Sequence, residues 1–201
     1  MTTALTDKGL PIVGHHVWTR EKYEHATELG LLGPDDHVEL IEGEIVQKMP
    51  QNSPHSTAVL LGLEALRAAF PQDHVVCPQL PLSLGDWSQP EPDMAVVAGS
   101  ARDFSGAQPT ADDAVLVVEI SDSTLLPDQT TKAGLYARAG IGEYWIVNLP
   151  ERVLEVYRQP VPVEDGLLGF AYRQVTRLTE AESVSPDAAP SFVLAVADLL
   201  P

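Results

Sequence analysis

Two acidic residues, Asp93 and Glu119, have the type and spacing that could support chemistry. Glu119 is the only charged side chain in the apolar run AVLVVEI (114–120), and a buried carboxylate is costly unless a cation or hydrogen-bond donors accompany it. Asp93 opens another strand-like segment, DMAVV, after two prolines. If the two strands are neighbours, both carboxylates lie side by side at one end of a sheet and suit Mg²⁺ or Mn²⁺. The structural alternatives are an exposed strand end for Glu119 and a turn residue for Asp93.

Three further residues could complete such a site. Lys132 falls in the first turns of a predicted helix that leaves the central strand, where its ammonium could stabilise negative charge on a phosphoryl group. Glu39, in a predicted hairpin strand, could be an accessory metal or water-positioning carboxylate. His55 follows Pro54 at the start of a helix and could bind phosphate or shuttle a proton. Each of the three has a structural alternative, which for Lys132 is a solvated surface position.

The elements that must position these residues form a mixed pattern. Helices are predicted from Thr19 as N-cap to Gly30, from Ser53 as N-cap to Pro71, and over 128–139. Strands are predicted on both sides of Glu42-Gly43, at about 74–77, 80–84, 93–97, 114–120 and 143–148, and in RVLEVYRQ and FAYRQVTRL. This order predicts an α/β (α+β) fold with a mixed central sheet flanked by helices, and not a regular Rossmann alternation.

The run 114–120 should be the central strand, because its continuous hydrophobicity suits burial on both faces. Alternation along this strand puts Glu119 on the same face as Val117 and Val115. The C-terminal tail should pack back on the fold through Phe192, Leu194 and Val196.

Composition limits the function classes. The 201 residues predict one domain over 16–201 after a flexible lead-in, 1–15. A net charge of −17 excludes a protein that coats nucleic acid through bulk charge. The single cysteine, Cys77, excludes a disulfide scaffold and a cysteine-rich zinc site, and it should be a small buried hydrophobe. Without a membrane-length apolar run or a signal peptide, the expected compartment is the cytoplasm, with no membrane partner.

Motifs of several common enzyme classes are absent from the sequence. It contains no G-x-S-x-G elbow, P-loop, G-x-G-x-x-G or H-E-x-x-H pattern. Esterase, NTPase and dinucleotide-binding functions therefore lack their usual support, and the histidines show no metal-ligand spacing.

Five blocks, taken in order, resemble a known family. VELIEGEIV, SPHSTAVLLGL, QPEPDMAVV, LVVEISDST and KAGLYARAGIGEYWIVN are similar to the Uma-type putative restriction endonuclease family, which is placed in the PD-(D/E)XK nuclease superfamily. The resemblance runs from about Trp18 to the C-terminus. It implies a restriction-endonuclease-like core with an N-terminal hairpin and added C-terminal strands.

The resemblance also implies roles for individual residues. Pro92-Asp93 matches the superfamily's PD step, and Glu119 matches its second acidic ligand. The standard lysine position is Ser121 here, and Lys132 in the following helix takes its place. Glu39 and His55 match the early glutamate and the helix-opening histidine, whereas Asn148 departs from the family's usual aspartate.

The expected activity is therefore Mg²⁺- or Mn²⁺-dependent hydrolysis of nucleic acid, with DNA as the expected substrate. Asp93, Glu119 and the backbone carbonyl of Ile120 would hold the ion, with Glu39 as a further ligand through water. A homodimer is expected, with the apolar C-terminal strands or the tail as contacts. Two alternatives remain open: a nuclease-fold interaction module without activity, and a hydrolase of small phosphoesters. The charge of −17 remains the observation that fits DNA cleavage least.

Overall fold

A six-stranded mixed sheet forms the centre of the protein, in the strand order His74–Pro78, Met94–Ala98, Ala114–Ser121, Glu143–Asn148, Val153–Pro162 and Phe170–Thr179. The structure is a computed structural model that describes residues 16–201. The expected lead-in, 1–15, lies outside the described residues. The strands are β1 (Val38–Ile41), β2 (Glu44–Gln47), β3 (His74–Pro78), β4 (Met94–Ala98), β5 (Ala114–Ser121), β6 (Glu143–Asn148), β7 (Val153–Pro162), β8 (Phe170–Thr179), β9 (Ser183–Val184) and β10 (Leu194–Ala195).

The helical elements cover this sheet. They are α1 (Arg20–Glu28), α2 (Ser53–Ala69), the single turn α3 (Leu125–Pro127), a π-helical turn (Asp128–Lys132), α4 (Ala133–Arg138), and 3₁₀ turns at Pro34–Asp36 and Val196–Leu199. The mixed α/β fold class with flanking helices is confirmed. No helix among the described residues is both long and apolar enough to cross a membrane.

The sheet has a hydrophobic core on each face. On one face, α2 and the C-terminal tail pack against alternate residues of the strands, and Phe192, Leu194 and Val196 take part as expected. On the other face, α4 and β1 cover Val117 and a group of buried tyrosines. β5 pairs with β4 in antiparallel and with β6 in parallel orientation, so it lies in the interior of the sheet, as its apolar sequence predicted.

A β-bulge changes the predicted face of one residue. Val96 pairs with Leu116 and Val97 pairs with Ala114, so Val115 is an extra residue in β5. Val117 stays on the α4 face with Glu119, but Val115 packs against the core on the α2 face. The expectation that Val115 shares the face of Glu119 was wrong because simple alternation ends at the bulge.

The predicted element boundaries mostly hold. Thr19 caps α1 by accepting a hydrogen bond from the backbone N–H of Lys22. The β1–β2 turn falls at Glu42-Gly43, where both residues have positive φ. A Cβ on Gly43 would meet the Val17 side chain at 2.9 Å, so this turn also needs glycine for close packing. Cys77 is buried in β3, as expected.

Three boundaries differ from the prediction. The cap of α2 is Asn52, whose side chain accepts from the N–H of His55, so the helix begins at Ser53 rather than after it. Residues 80–84 form no strand in the described chain, because the prolines at 81, 90 and 92 cannot donate to a ladder. The helix expected over 128–139 begins earlier, and it includes the π-helical turn Asp128–Lys132.

Candidate active site

Asp93 and Glu119 lie side by side at one end of the sheet. Antiparallel pairing sets Met94 opposite Val118, so the residue before β4 faces the residue after Val118. The backbone N–H of Asp93 is 3.4 Å from Glu119 Oε2, and the N–H of Ile120 donates to Asp93 Oδ2 at 2.8 Å. Strand register thus brings together two carboxylates that are distant in sequence. Ile120 lies in the wall of the same cavity.

Lys132 bridges two carboxylates from the helical side of the site. Its Nζ lies 2.8 Å from Glu119 Oε1 and 3.3 Å from Glu39 Oε1. Tyr136, one turn further along, donates its hydroxyl to the same Glu119 Oε1 at 2.7 Å. The lysine therefore meets the acid of the central strand although it does not follow that acid in β5.

The hairpin β1–β2 supplies Glu39. β1 is mostly buried, and Glu39 is 5% exposed. Its Oε2 accepts a hydrogen bond from the backbone N–H of Glu91 at 3.0 Å. An ion pair between Glu42 in the hairpin turn and Arg138 of α4 fastens the hairpin to the helix. Glu39 and Lys132 are therefore positioned by two elements that are tied to each other.

His55 faces Asp93 from the first turn of α2. Its Nε2 lies 3.2 Å from Asp93 Oδ2. Its Nδ1 is buried and finds no hydrogen-bond partner among the described residues. All five side chains expected to form the site are therefore gathered in one place: Glu39, His55, Asp93, Glu119 and Lys132.

Burial and neighbouring charges combine differently in the pKa values of Glu119 and Lys132. Burial raises the pKa of Glu119 to about 7; Lys132 opposes this shift, and Asp93, Asp128 and Glu39 add to it. For Lys132, burial alone would lower the pKa, but the surrounding carboxylates raise it above its ordinary value. The lysine is thus firmly charged, whereas Glu119 is ionised at a cost.

Asp93 and His55 stabilise each other's charged forms. Burial alone would raise the pKa of Asp93, but hydrogen bonds from His55, the Ile120 N–H and Gln79 lower it below its ordinary value. Burial would likewise lower the pKa of His55, yet the hydrogen bond to Asp93 raises it. A charged Asp93 is the form in which this carboxylate could bind a cation.

These residues line a cavity of about 230 Å³. Two segments contribute much of the lining, residues 46–52 and residues 122–124 with 127–128. A hydrogen bond from the Asn52 side chain to Asp122 joins the two segments. Lys48 also lines the cavity, but its ammonium pairs with Glu91 at 2.9 Å. The lining is therefore strongly acidic.

Sequence reasoning gave no role to three residues that contact the site. Tyr136 holds Glu119, and its position one turn after Lys132 was an available signal. Asp128 is buried beside the cavity and accepts hydrogen bonds from Ser121 and Thr124. Gln79 donates to Asp93, and no local pattern in the sequence marks it.

The carboxylates offer the hard oxygen donors that Mg²⁺ and Mn²⁺ prefer. Within residues 16–201, no three His, Cys, Asp or Glu side chains converge as a ready-made metal site. His55 and Lys132 hold the carboxylate oxygens instead. Glu119 Oε2 is the least engaged of these oxygens, because its contact within the described chain is the long one to the Asp93 N–H. The donor set therefore fits a divalent ion, and Lys132 is the cation that such an ion would partly replace.

Comparisons with known proteins identify the fold and the family of this chain. No curated protein is similar enough to count as a match. The chain is similar in structure to a putative nuclease belonging to DUF820 from Anabaena variabilis ATCC 29413, with a TM-score of 0.64 and 18% identity over 86% of this chain and 94% of that one. At this identity the likeness shows a shared fold. The Uma2 family model, described as a putative restriction endonuclease, matches residues 20–197, and the chain therefore belongs to that family.

Proposed function

We propose that the protein is a divalent-metal-dependent endonuclease that hydrolyses phosphodiester bonds of DNA. The observation that supports this most is the pairing of Asp93 with Glu119 at the end of β4 and β5, with Lys132 on Glu119. Membership of the Uma2 family supports the nuclease class. The metal requirement and the choice of DNA are parts of the proposal.

The residues divide into ion holders and phosphate contacts. Asp93, Glu119 and the carbonyl of Ile120 would hold Mg²⁺ or Mn²⁺, with Glu39 acting through water. When bound, such an ion activates water at neutral pH and offsets the charge of the scissile phosphate. Lys132 would turn its Nζ from Glu119 toward the phosphate and stabilise the negative charge that develops there. His55 would keep its Nε2 proton toward Asp93 and so hold that carboxylate in its charged form.

The excess of acid in the site is consistent with this mechanism. Glu39, Glu119 and Asp128 surround Lys132, and a bound cation would reverse the local field that would otherwise repel a phosphate. An ion bound there would also relieve the burial cost that raises the pKa of Glu119.

We also propose that the protein acts as a homodimer, since symmetric pairs are the commonest oligomers and a cut in both strands needs two sites. The tail buries Leu194, Val196 and Leu199 in its own core, which leaves β8, at one edge of the sheet, as the better candidate contact. Sedimentation at micromolar concentration should give the dimer mass, and a monomer would contradict this part alone.

A cleavage assay tests the proposed activity. Supercoiled plasmid with Mg²⁺ should be nicked, and EDTA should stop the reaction. Asp93→Asn and Lys132→Met should each lower the rate at least about 100-fold. Glu151→Gln is the matched control, because Glu151 is an exposed acid paired with Arg177 away from the cavity.

Other substrates separate the remaining functions. Cleavage of RNA alone, or of a small phosphodiester alone, would replace the DNA assignment. No cleavage of any phosphoester with Mg²⁺ or Mn²⁺ would favour an interaction module that keeps the nuclease fold.

A further inference from the structure

Gln79 has an unusual backbone conformation at the turn between β3 and the segment that leads to β4. Its φ is +48°, in the left-handed region that residues other than glycine rarely adopt. Asn, Asp and His tolerate this region best, so a glutamine there calls for a compensating interaction.

Both nitrogens of Gln79 donate to one residue, Asp93. The backbone N–H donates to the Asp93 carbonyl at 3.1 Å, which extends the β3–β4 pairing by one position. The side-chain Nε2 donates to Asp93 Oδ1 at 3.2 Å. The left-handed turn thus lets one residue fix both the backbone and the carboxylate of Asp93.

Asp93 is therefore held from three elements. Oδ2 accepts from the Ile120 N–H in β5 and faces His55 of α2. Oδ1 accepts from Gln79. A carboxylate oxygen has two lone pairs, so one donor on Oδ1 fixes the plane of the group and leaves a lone pair for a cation.

We propose that Gln79 is a positioning residue that orients Asp93 for a divalent ion. This inference rests on the proposed function. Gln79 does not line the cavity among the described residues, and its contact with the site is the hydrogen bond to Asp93. Partners of this kind hold a metal-binding carboxylate in its bound orientation, and their loss costs about 10- to 100-fold in metal affinity.

The test uses Gln79→Asn in the full chain. Asparagine adopts the left-handed conformation more readily than glutamine, but its amide is one methylene shorter and does not reach Asp93. Calorimetric titration with Mn²⁺ alone should show affinity about 10- to 100-fold weaker than wild type. The melting temperature of the metal-free protein should change little, because relief of the backbone strain at residue 79 offsets part of the lost hydrogen bond to Asp93. A purely structural role for the Gln79 amide would instead give a clearly lower melting temperature with unchanged Mn²⁺ affinity.

The matched control is Gln159→Asn. Gln159 has φ of +60° and is exposed in β7, so the same change meets the same backbone conformation away from the site. It should leave Mn²⁺ affinity unchanged. Gln79→Gly is a second variant that removes the amide and the backbone strain together, and it should bind Mn²⁺ as weakly as Gln79→Asn.

The outcomes distinguish the two proposals. If wild type binds Mn²⁺ and both Gln79 variants bind it equally well, the positioning role is wrong and the proposed nuclease site stands. If wild type binds no Mn²⁺, the metal-dependent function is wrong, and the role of Gln79 is wrong with it.

Discussion

Among single residues of the site, Glu119 has a charged form that is favoured by a lysine but opposed by burial and by neighbouring carboxylates. Its side chain is 5% exposed, and its Oε1 meets both Lys132 and the Tyr136 hydroxyl. Burial and three neighbouring carboxylates nevertheless raise its pKa to about 7. A cation bound at Glu119 would offset the free-energy cost of burying its negative charge beside other carboxylates. A residue of this kind therefore favours cation binding.

Glu119→Gln should therefore abolish Mg²⁺-dependent cleavage without unfolding the protein. The amide keeps an oxygen for Lys132 and Tyr136 but removes the charge that would hold the ion. Metal-free stability should be unchanged or slightly raised, and the thermal stabilisation that Mn²⁺ gives wild type by mass action should disappear. Melting curves with and without Mn²⁺ measure both effects. A strongly destabilised variant, beside a wild type that ignores Mn²⁺, would indicate a purely structural carboxylate.

The raised pKa of Glu119 also predicts a pH dependence of stability. Between its ordinary value of 4.5 and about 7, the folded protein keeps the proton that the unfolded chain has lost. The free energy of unfolding should therefore fall as pH rises through this window, by on the order of 3 kcal/mol from this group. Urea denaturation in EDTA at pH 5 and pH 8 measures the change. The free energy of unfolding of the Glu119→Gln variant should fall by less over the same pH interval. An equal fall in wild type and variant would contradict the prediction.

Among the secondary-structure elements, the π-helical turn Asp128–Lys132 determines where Lys132 lies. Gln129 donates to both carboxylate oxygens of the buried Glu155 on β7, at 3.0 and 2.9 Å. The Tyr144 hydroxyl donates to the Asp128 carbonyl at 3.2 Å. Turns of this type occur often at functional sites, and this one is held to two strands of the sheet.

Gln129→Ala should lower the cleavage rate because it releases the turn that positions Lys132. Removing the amide leaves Glu155 with fewer donors and frees the turn, which should cost about 1–3 kcal/mol of stability. The rate constant kcat should fall while KM changes little, because Lys132 acts on charge that develops during the reaction. Thr130→Ala is the control, since the bond that the Thr130 hydroxyl makes within residues 16–201 is local, to the Leu126 carbonyl. Equal rates for the two variants would show that the anchor does not position Lys132.

Across the described part of the molecule, most basic side chains are already paired with acids, so few remain to bind the phosphates of a nucleic acid. The net charge is −17. Seven basic residues of the described chain already pair with acids: Arg20, Lys48, Lys132, Arg138, Arg152, Arg158 and Arg177. The divalent ion would then be the principal attraction for phosphate.

The salt dependence of cleavage should therefore be shallow. A protein that contacts 6–10 phosphates through its own cations loses about 10³- to 10⁵-fold in affinity between about 50 and 200 mM salt. Here KM should stay constant or fall over that range, because salt screens the repulsion between protein and substrate. Plasmid-nicking rates at fixed Mg²⁺ and increasing NaCl measure this. A steep rise in KM would reveal a basic surface that these ion pairs do not suggest.

The amino-acid sequence by itself determined the local elements and the identity of the candidate residues. Apolar runs such as 114–120, a capping residue such as Thr19 and the Glu42-Gly43 turn depend on neighbours close in the chain, and these predictions were confirmed. Asp93, Glu119 and Lys132 stood out because charged side chains beside apolar strands need partners. Glu39 in its hairpin strand and His55 at the start of a helix were candidates too, and the family blocks matched both.

Only the tertiary structure decided how these residues meet. The register of β4 against β5 pairs Asp93 with Glu119, and the bulge at Val115 ends the simple alternation that sequence reasoning assumed. The roles of Gln79, Tyr136 and the Gln129–Glu155 anchor depend on contacts between distant segments. Local propensity cannot predict such contacts, because a polar side chain on a turn or helix has the same local sequence whether it faces solvent or a buried carboxylate.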